Sequence, residues 1–168
     1  MLPILRFIGL LNAAVWIGAA VFFTVAAGPA FFSEDMARIL PKAHAGAAAQ
    51  IVLKRYFIFH MVCAVVALLH LIVEWLYSGR PLSQISVGLV ASMLLLSVAG
   101  GRWLMPRMEQ LHATMYSPRS EPSVAAAARR TFGMWHGISQ MGNLLMLGGL
   151  LVHLWKCGKD PNAIRQRI

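Results

Sequence analysis

The chain has few acidic residues and few cysteines. Among 168 residues there are six Asp or Glu against fifteen Lys or Arg, and two Cys. Two cysteines provide no disulfide framework. So few carboxylates leave little material for acid–base catalysis. The sequence also has no P-loop, dinucleotide fingerprint or nucleophile triad, so it favours a role that is not enzymatic.

Apolar residues, in contrast, are abundant. They make up 58% of the chain, while charged residues make up 12%, a balance typical of a membrane protein. The formal net charge is +9, but the basic residues cluster at the ends of apolar runs. That placement indicates contact with lipid headgroups and excludes a solvated nucleic-acid-binding face. The lipid bilayer is therefore the first predicted partner, and nucleic acid is not one.

Four apolar runs are each long enough to cross a bilayer, which takes about 20 residues. We predict helices at about 4–28, 53–78, 84–105 and 123–157, with polar connections at 33–52 and 107–122. The short Gly79–Leu82 turn makes the second and third helices antiparallel neighbours. The predicted fold is an all-α integral membrane protein, an antiparallel four-transmembrane-helix bundle in one domain over residues 1–168.

The distribution of basic residues gives an expected orientation. The two long connections carry nine Lys or Arg, and the termini with the short turn carry six. Because cytoplasmic loops are enriched in Lys and Arg, this bias favours cytoplasmic connections and both termini outside. The predicted location is a bacterial inner (plasma) membrane.

Three short motifs resemble a known family. They are Tyr56–His60 opening the second helix, Arg102–Arg107 closing the third and Trp135–Ser139 in the fourth. In order and spacing they are similar to the bacterial domain of unknown function 4149, which is kin to the eukaryotic transmembrane protein 205. The resemblance extends distantly to copper-resistance-type membrane proteins. It implies a four-span helical membrane protein and no particular mechanism.

Polar residues form one stripe on each of two predicted helices. On the fourth helix they recur at i, i+3, i+4 and i+7, and they are His136, Ser139, Gln140 and Asn143. On the second helix a 3-4-3-4 spacing aligns His60, Cys63, Ala67, His70 and Glu74. Hydrocarbon cannot satisfy such groups, so both stripes should face other helices, a cavity or a ligand.

The pair His60 and His136 is the leading candidate site. The second and fourth helices run in the same direction, and the two imidazoles differ in depth by roughly 5 Å. Such a pair is suited to a transition metal, with copper or haem b as the candidates. Ser139, Gln140 and Asn143 would then orient the ligands, and Arg102 would face an anionic ligand or a haem propionate. The alternative is a hydrogen-bonded polar core that binds nothing.

Two weaker metal sets remain open. His70, Glu74 and His153 lie toward the opposite surface, where an interfacial role for His153 is favoured. Met105, Met108, His112 and Met115 recur at helical spacing and offer soft ligands for Cu(I). The same spacing describes an amphipathic helix on the membrane surface, which we favour for this segment.

Two further functions fit the sequence. One is a structural or accessory subunit of a larger redox or photosynthetic membrane complex. Small residues such as Gly133 and Gly137, four apart, would admit a helix of a membrane-protein partner or of a second copy. The other is a quinone-linked membrane redox protein. Purified protein with a stoichiometric metal or a haem band would favour the metal hypothesis over both.

Overall fold

The computed structural model describes residues 2–79 and 81–158, and all regular structure in that part is helical. The helices are α1 (Leu2–Phe22), α2 (Gly28–Ala30), α3 (Glu34–Ile39), α4 (Lys42–Ser78), α5 (Gln84–Ala99), α6 (Met105–Tyr116) and α7 (Pro122–Gly158). A π-helical turn, Phe23–Ala27, joins α1 to α2, and a second, Gly100–Leu104, joins α5 to α6.

Four continuous helical stretches are long and apolar enough to cross a membrane. They are Pro3–Ala30, Lys42–Ser78, Gln84–Tyr116 and Pro122–Gly158. Large apolar side chains such as Phe7, Leu69, Leu95 and Leu145 are exposed on the outer faces, as lipid contact requires. The prediction of an all-α, four-span membrane bundle is confirmed. The bacterial inner membrane and the outward termini stay predictions.

The helices extend into both predicted connections. α4 begins at Lys42 rather than near residue 53, because the alanine-rich run at its start has high helix propensity and no breaker. Most of the predicted 107–122 connection is α6. At 1.5 Å per residue, α4 and α7 are each about 55 Å long, against about 30 Å of hydrocarbon. We therefore expect residues 42–55, 105–116 and 122–131 to project from one side; they are called the cap below.

The two longest helices, α4 and α7, occupy diagonally opposite positions in the four-helix bundle. α1 and α5 each pack against both α4 and α7, whereas α4 and α7 hardly touch. Gly79, with φ of 63°, ends α4 and reverses the chain toward α5. The packed core fills the half of the bundle away from the cap; its buried members are Trp16, Ala20, Cys63, Ala64, Ala67, Val90, Met93, Met146 and Leu150.

Candidate functional site

A long cavity lies between α4 and α7 on the cap side of the core. Its volume is about 630 Å³, and its wall is mostly apolar and aromatic. One face of α4 lines it from Lys42 to His60. That stretch of helix rises about 27 Å. The cavity therefore runs parallel to α4 from the cap to His60, beside the core residue Met146. Its cap end is called the mouth below, and its His60 end is called the floor.

His60 forms the floor and is almost fully buried, with 1% of its surface exposed. Trp16 Nε1 donates a hydrogen bond to His60 Nδ1 at 2.9 Å. An indole nitrogen can only donate, so Nδ1 must be the unprotonated nitrogen of the neutral ring. The proton then sits on Nε2, which is buried and has no hydrogen-bond partner in the described part of the chain. The floor thus presents one unpaired N–H donor.

A hydrogen-bonded network crosses the diagonal just above the floor. The Tyr56 hydroxyl donates to Asn143 Oδ1 at 3.1 Å, and Asn143 Nδ2 donates to Thr24 Oγ1 at 2.8 Å. Thr24 in turn donates to the Ala20 carbonyl at 2.7 Å. The Tyr56 ring centroid lies 4.1 Å from that of His60. This network joins three spans and fixes the aromatic wall beside the imidazole.

Two more unpaired polar atoms lie nearer the mouth. Gln50 Nε2 and His112 Nε2 are buried, and neither has a hydrogen-bond partner among the described residues. Together with His60 Nε2 they are the three such side-chain atoms in residues 2–79 and 81–158, and all three residues line the cavity. An unsatisfied buried donor costs about 1–3 kcal/mol, so native proteins hold few of them. Their concentration here makes the cavity the candidate binding site.

Both π-helical turns also border this cavity. Phe23 and Thr24 belong to the first turn, and Gly100, Trp103 and Leu104 belong to the second. A π-helical turn is a costly departure from the α-helix and is frequent at functional sites. Their position gives independent support for a functional cavity.

The predicted stripe on α7 divides into two parts. His136 lines the cavity but is exposed, and its Nε2 lies 3.3 Å from Gln140 Nε2. Ser139 does not orient that ring, because its hydroxyl donates to the His136 carbonyl at 2.7 Å within the helix. Asn143 bonds to Tyr56 and Thr24 instead. His60 and His136 therefore share the cavity, while two of the three predicted supporting residues serve other groups.

Other predicted site residues fall on and off the cavity. Arg102 is exposed and does not line it, although its neighbour Trp103 does. The segment from Met105 to Met115 was predicted to be an amphipathic helix on the membrane surface. It forms α6, which instead packs against α4 and α7. Met105, Met108, His112 and Met115 all line the cavity, and the first two are buried.

The residues at the opposite end of the bundle lie away from the cavity. His70 Nε2 is 2.8 Å from the Leu5 carbonyl. His153 is buried, 6.2 Å from the Trp16 ring, with its Nε2 3.8 Å from Cys157 Sγ. Glu74 is half-buried near the end of α4. The two histidines are thus occupied in structural contacts, and none of the three residues lines the cavity.

The arrangement around His60 does not suit a metal ion. A neutral imidazole that ligates through Nε2 carries its proton on Nδ1, where it usually donates a second hydrogen bond. At His60 the Trp16 indole occupies Nδ1 as a donor, so Nε2 is protonated. Within residues 2–79 and 81–158, no three His, Cys, Asp or Glu side chains form a group that could hold a metal ion. The donor set favours a ligand that accepts a hydrogen bond over copper or haem iron.

Sequence reasoning missed several residues of this site. Trp16 fixes the His60 tautomer, Tyr56 and Thr24 form the network, and Gln50 lies in a segment predicted to be a connection. A signal was available for Gln50, which lies ten residues before His60 on a continuous helical pattern. Helical spacing places Trp16 on one face with Asn12 and predicts inter-helix hydrogen bonding and packing there, but it does not identify His60 as the partner. Thr24 had no such signal, since its contact depends on how α1 is rotated against α7.

The fold and site define a four-span helical membrane protein with an elongated internal cavity. The sequence profile of the domain of unknown function DUF4149 matches residues 11–117, and the chain belongs to this family. The matched region includes His60, Gln50 and His112 but ends before α7. No curated protein and no solved structure gives a match. The likeness to copper-resistance proteins finds no support in these comparisons.

Proposed function

We propose that this protein binds a small lipid-soluble molecule inside the membrane, through a group that accepts a hydrogen bond from His60 Nε2. The observation that carries the proposal is the unpaired N–H at the floor of an apolar cavity. A ligand acceptor there would remove the cost of burying that donor. The cavity volume of about 630 Å³ falls in the range of small-molecule sites, and an apolar wall with few polar groups is typical of them.

The ligand class follows from the wall and the tautomer. Aromatic and thioether side chains, among them Phe57, Trp103, Met105 and Met108, favour an apolar body. The N–H of His60 favours a carbonyl or hydroxyl oxygen. A quinone belongs to this class, so the quinone-linked hypothesis is compatible with the proposal. The metal or haem hypothesis requires the opposite tautomer at His60.

An accessory role in a larger complex is the second candidate. Gly133 and Gly137 are exposed on α7, and a Cβ added at either position would meet no atom within 4 Å. This face is therefore open to a helix of another chain. Sizing in mild detergent tests this role, and a stable monomer would disfavour it.

The decisive experiment compares three preparations purified in mild detergent: the wild type, His60→Phe and His44→Phe. Both substitutions remove an imidazole, but His44 is exposed and does not line the cavity. Lipid-soluble molecules are extracted with organic solvent and quantified by mass spectrometry. We expect one compound to co-purify with the wild type and His44→Phe, and to fall by about tenfold in His60→Phe, the effect of about 1.4 kcal/mol.

Two outcomes would overturn the proposal. One is equal recovery of every extracted compound from His60→Phe and His44→Phe. The other is a stoichiometric metal, or a haem absorption band, that His60→Phe abolishes, which would establish the metal hypothesis instead. Size-exclusion profiles of the three proteins verify that the His60 variant remains folded.

A further inference from the structure

The mouth half of the cavity contains a second polar position, formed by Gln50 on α4 and His112 on α6. A Cβ added at Gly46 would strike the His112 Nε2 atom, so this imidazole lies against α4 one turn before Gln50. The ring centroids of Tyr116 and Phe132 lie 4.9 and 6.2 Å from that of His112 and wall it in. Gln50 Nε2 and His112 Nε2 are thus two unpaired nitrogens from different helices, and both residues line this half of the cavity.

The charge around this position favours an anion. Residues 33–55 and 100–131 contain nine Lys or Arg against four Asp or Glu. Lys42 lines the mouth itself. The nearby carboxylate of Glu109 is paired with Lys54 Nζ at 2.6 Å, so its negative charge is compensated. An acidic group at the mouth would therefore meet hydrogen-bond donors in a positively charged environment.

The two polar positions are separated by an apolar stretch. Gln50 and His60 are ten residues apart on α4, which corresponds to about 15 Å along the axis. Leu53, Phe57, Met105 and Met108 line the cavity around this interval. A carbon chain with bonds of about 1.5 Å advances roughly 1.25 Å per carbon in its extended form. About 12 carbons therefore span the interval.

Building on the proposed function, we infer that the ligand is a long-chain carboxylate with a second oxygen, a hydroxyl or carbonyl, about 12 carbons from the acid. The carboxylate binds Gln50 and His112 near the mouth, and the distal oxygen accepts from His60. The Gln50 amide donates to one carboxylate oxygen, and His112 donates to the other in the tautomer that carries its proton on Nε2. The acid end lies at the basic cap and the chain descends along α4, which is the orientation of a lipid in the bilayer.

The test measures equilibrium binding of three probes to the full chain in nanodiscs: 12-hydroxydodecanoate, dodecanoate and methyl dodecanoate. We expect the hydroxy acid to bind about two- to tenfold more tightly than dodecanoate, the effect of one neutral hydrogen bond. His60→Phe should abolish that difference and leave dodecanoate binding unchanged. Dodecanoate should in turn bind more tightly than its methyl ester, which lacks the charge.

The second position is tested with Gln50→Glu, which places a like charge beside the carboxylate. We expect it to weaken both acids by about tenfold or more and to leave the methyl ester unchanged. His112→Phe should weaken the acids in the same way, and His44→Phe should change no probe. Gln50 is partly exposed near the mouth, so its substitution is the safer variant for folding.

The outcomes separate this inference from the proposed function. If dodecanoate and its methyl ester bind equally, or if Gln50→Glu affects them equally, the carboxylate position is wrong. A quinone recovered from the wild type in a His60-dependent manner, with no binding of the two acids, would also overturn it while the proposed function stands. A hydroxyl preference that persists in His60→Phe would overturn the role of His60 in both.

Discussion

Replacing Trp16 by Phe should remove the constraint on which nitrogen of His60 carries the proton. Trp16 is fully buried and donates to His60 Nδ1 at 2.9 Å, with the two ring centroids 6.0 Å apart. Phe keeps an aromatic ring and removes the donor. Without the indole N–H, Nδ1 of His60 no longer has to be unprotonated. The Nδ1–H tautomer then becomes accessible, and in that tautomer Nε2 has a free lone pair.

The expected loss of stability follows from the same contact. The unpaired Nδ1 acceptor costs about 1–3 kcal/mol, and the smaller ring leaves a void in the core that adds to it. We expect the free energy of unfolding to fall by about 2–4 kcal/mol. Trp75→Phe is the matched control, since its indole is exposed on α4 and should change stability by less than about 0.5 kcal/mol.

Two measurements follow the tautomer and its consequence. Nitrogen-15 chemical shifts of labelled histidine should identify His60 as the Nε2–H form in the wild type and show a detectable Nδ1–H population in Trp16→Phe. Titration with Cu²⁺ or Zn²⁺ should show tighter binding to Trp16→Phe than to the wild type, because Nε2 can then ligate. An Nδ1–H tautomer in the wild type would refute the reasoning and restore the metal hypothesis at this site.

Two further variants test the packing around the cavity, both by unfolding in mild detergent. Gly100→Ala would place a methyl group inside the Phe57 ring and should lower the free energy of unfolding by about 1–3 kcal/mol. In the control, Gly88→Ala, the added methyl group meets no atom within 4 Å, so this variant should be neutral or stabilising. Equal stability of the two variants would contradict the overlap with Phe57. Asn143→Leu breaks the hydrogen bonds to Tyr56 and Thr24 and should lower the free energy of unfolding by about 1–3 kcal/mol. The control, Gln140→Leu, changes an exposed residue and should lower it by less than about 0.5 kcal/mol. If Asn143→Leu were as stable as the wild type, the network would add no stability.

The sequence predicted the spans well because hydropathy depends only on local composition. It predicted the ends poorly. The start of α4 was placed near residue 53, where hydropathy rises, although the helix begins at Lys42 in an alanine-rich run whose helix propensity is high. Hydropathy detects the membrane boundary, and a helix that projects beyond the boundary is invisible to it.

The candidate site was predicted in part for a similar reason. Helical spacing placed His60 and His136 on inward stripes, and both line the cavity. Spacing within one helix cannot say which side chain of another helix reaches the imidazole. The donation from Trp16 to His60, which decides between a metal and a hydrogen-bond acceptor, depends on the rotation of α1 against α4. The same limit hid Thr24 as the partner of Asn143.

The turn at Gly100–Leu104 sets the phase of the third span. Buried positions before it follow α-helical spacing, at Val90, Met93, Ser97 and Gly100, and the next is Met105, five residues on. A π-helical turn accommodates one extra residue, and each residue of an α-helix rotates the following face by about 100°. Removing one residue here would turn α6 away from the bundle and take Met105 and Met108 out of the cavity wall. Because of this extra residue, one continuous span directs α5 side chains into the packed core and α6 side chains into the cavity, each from its own helical face.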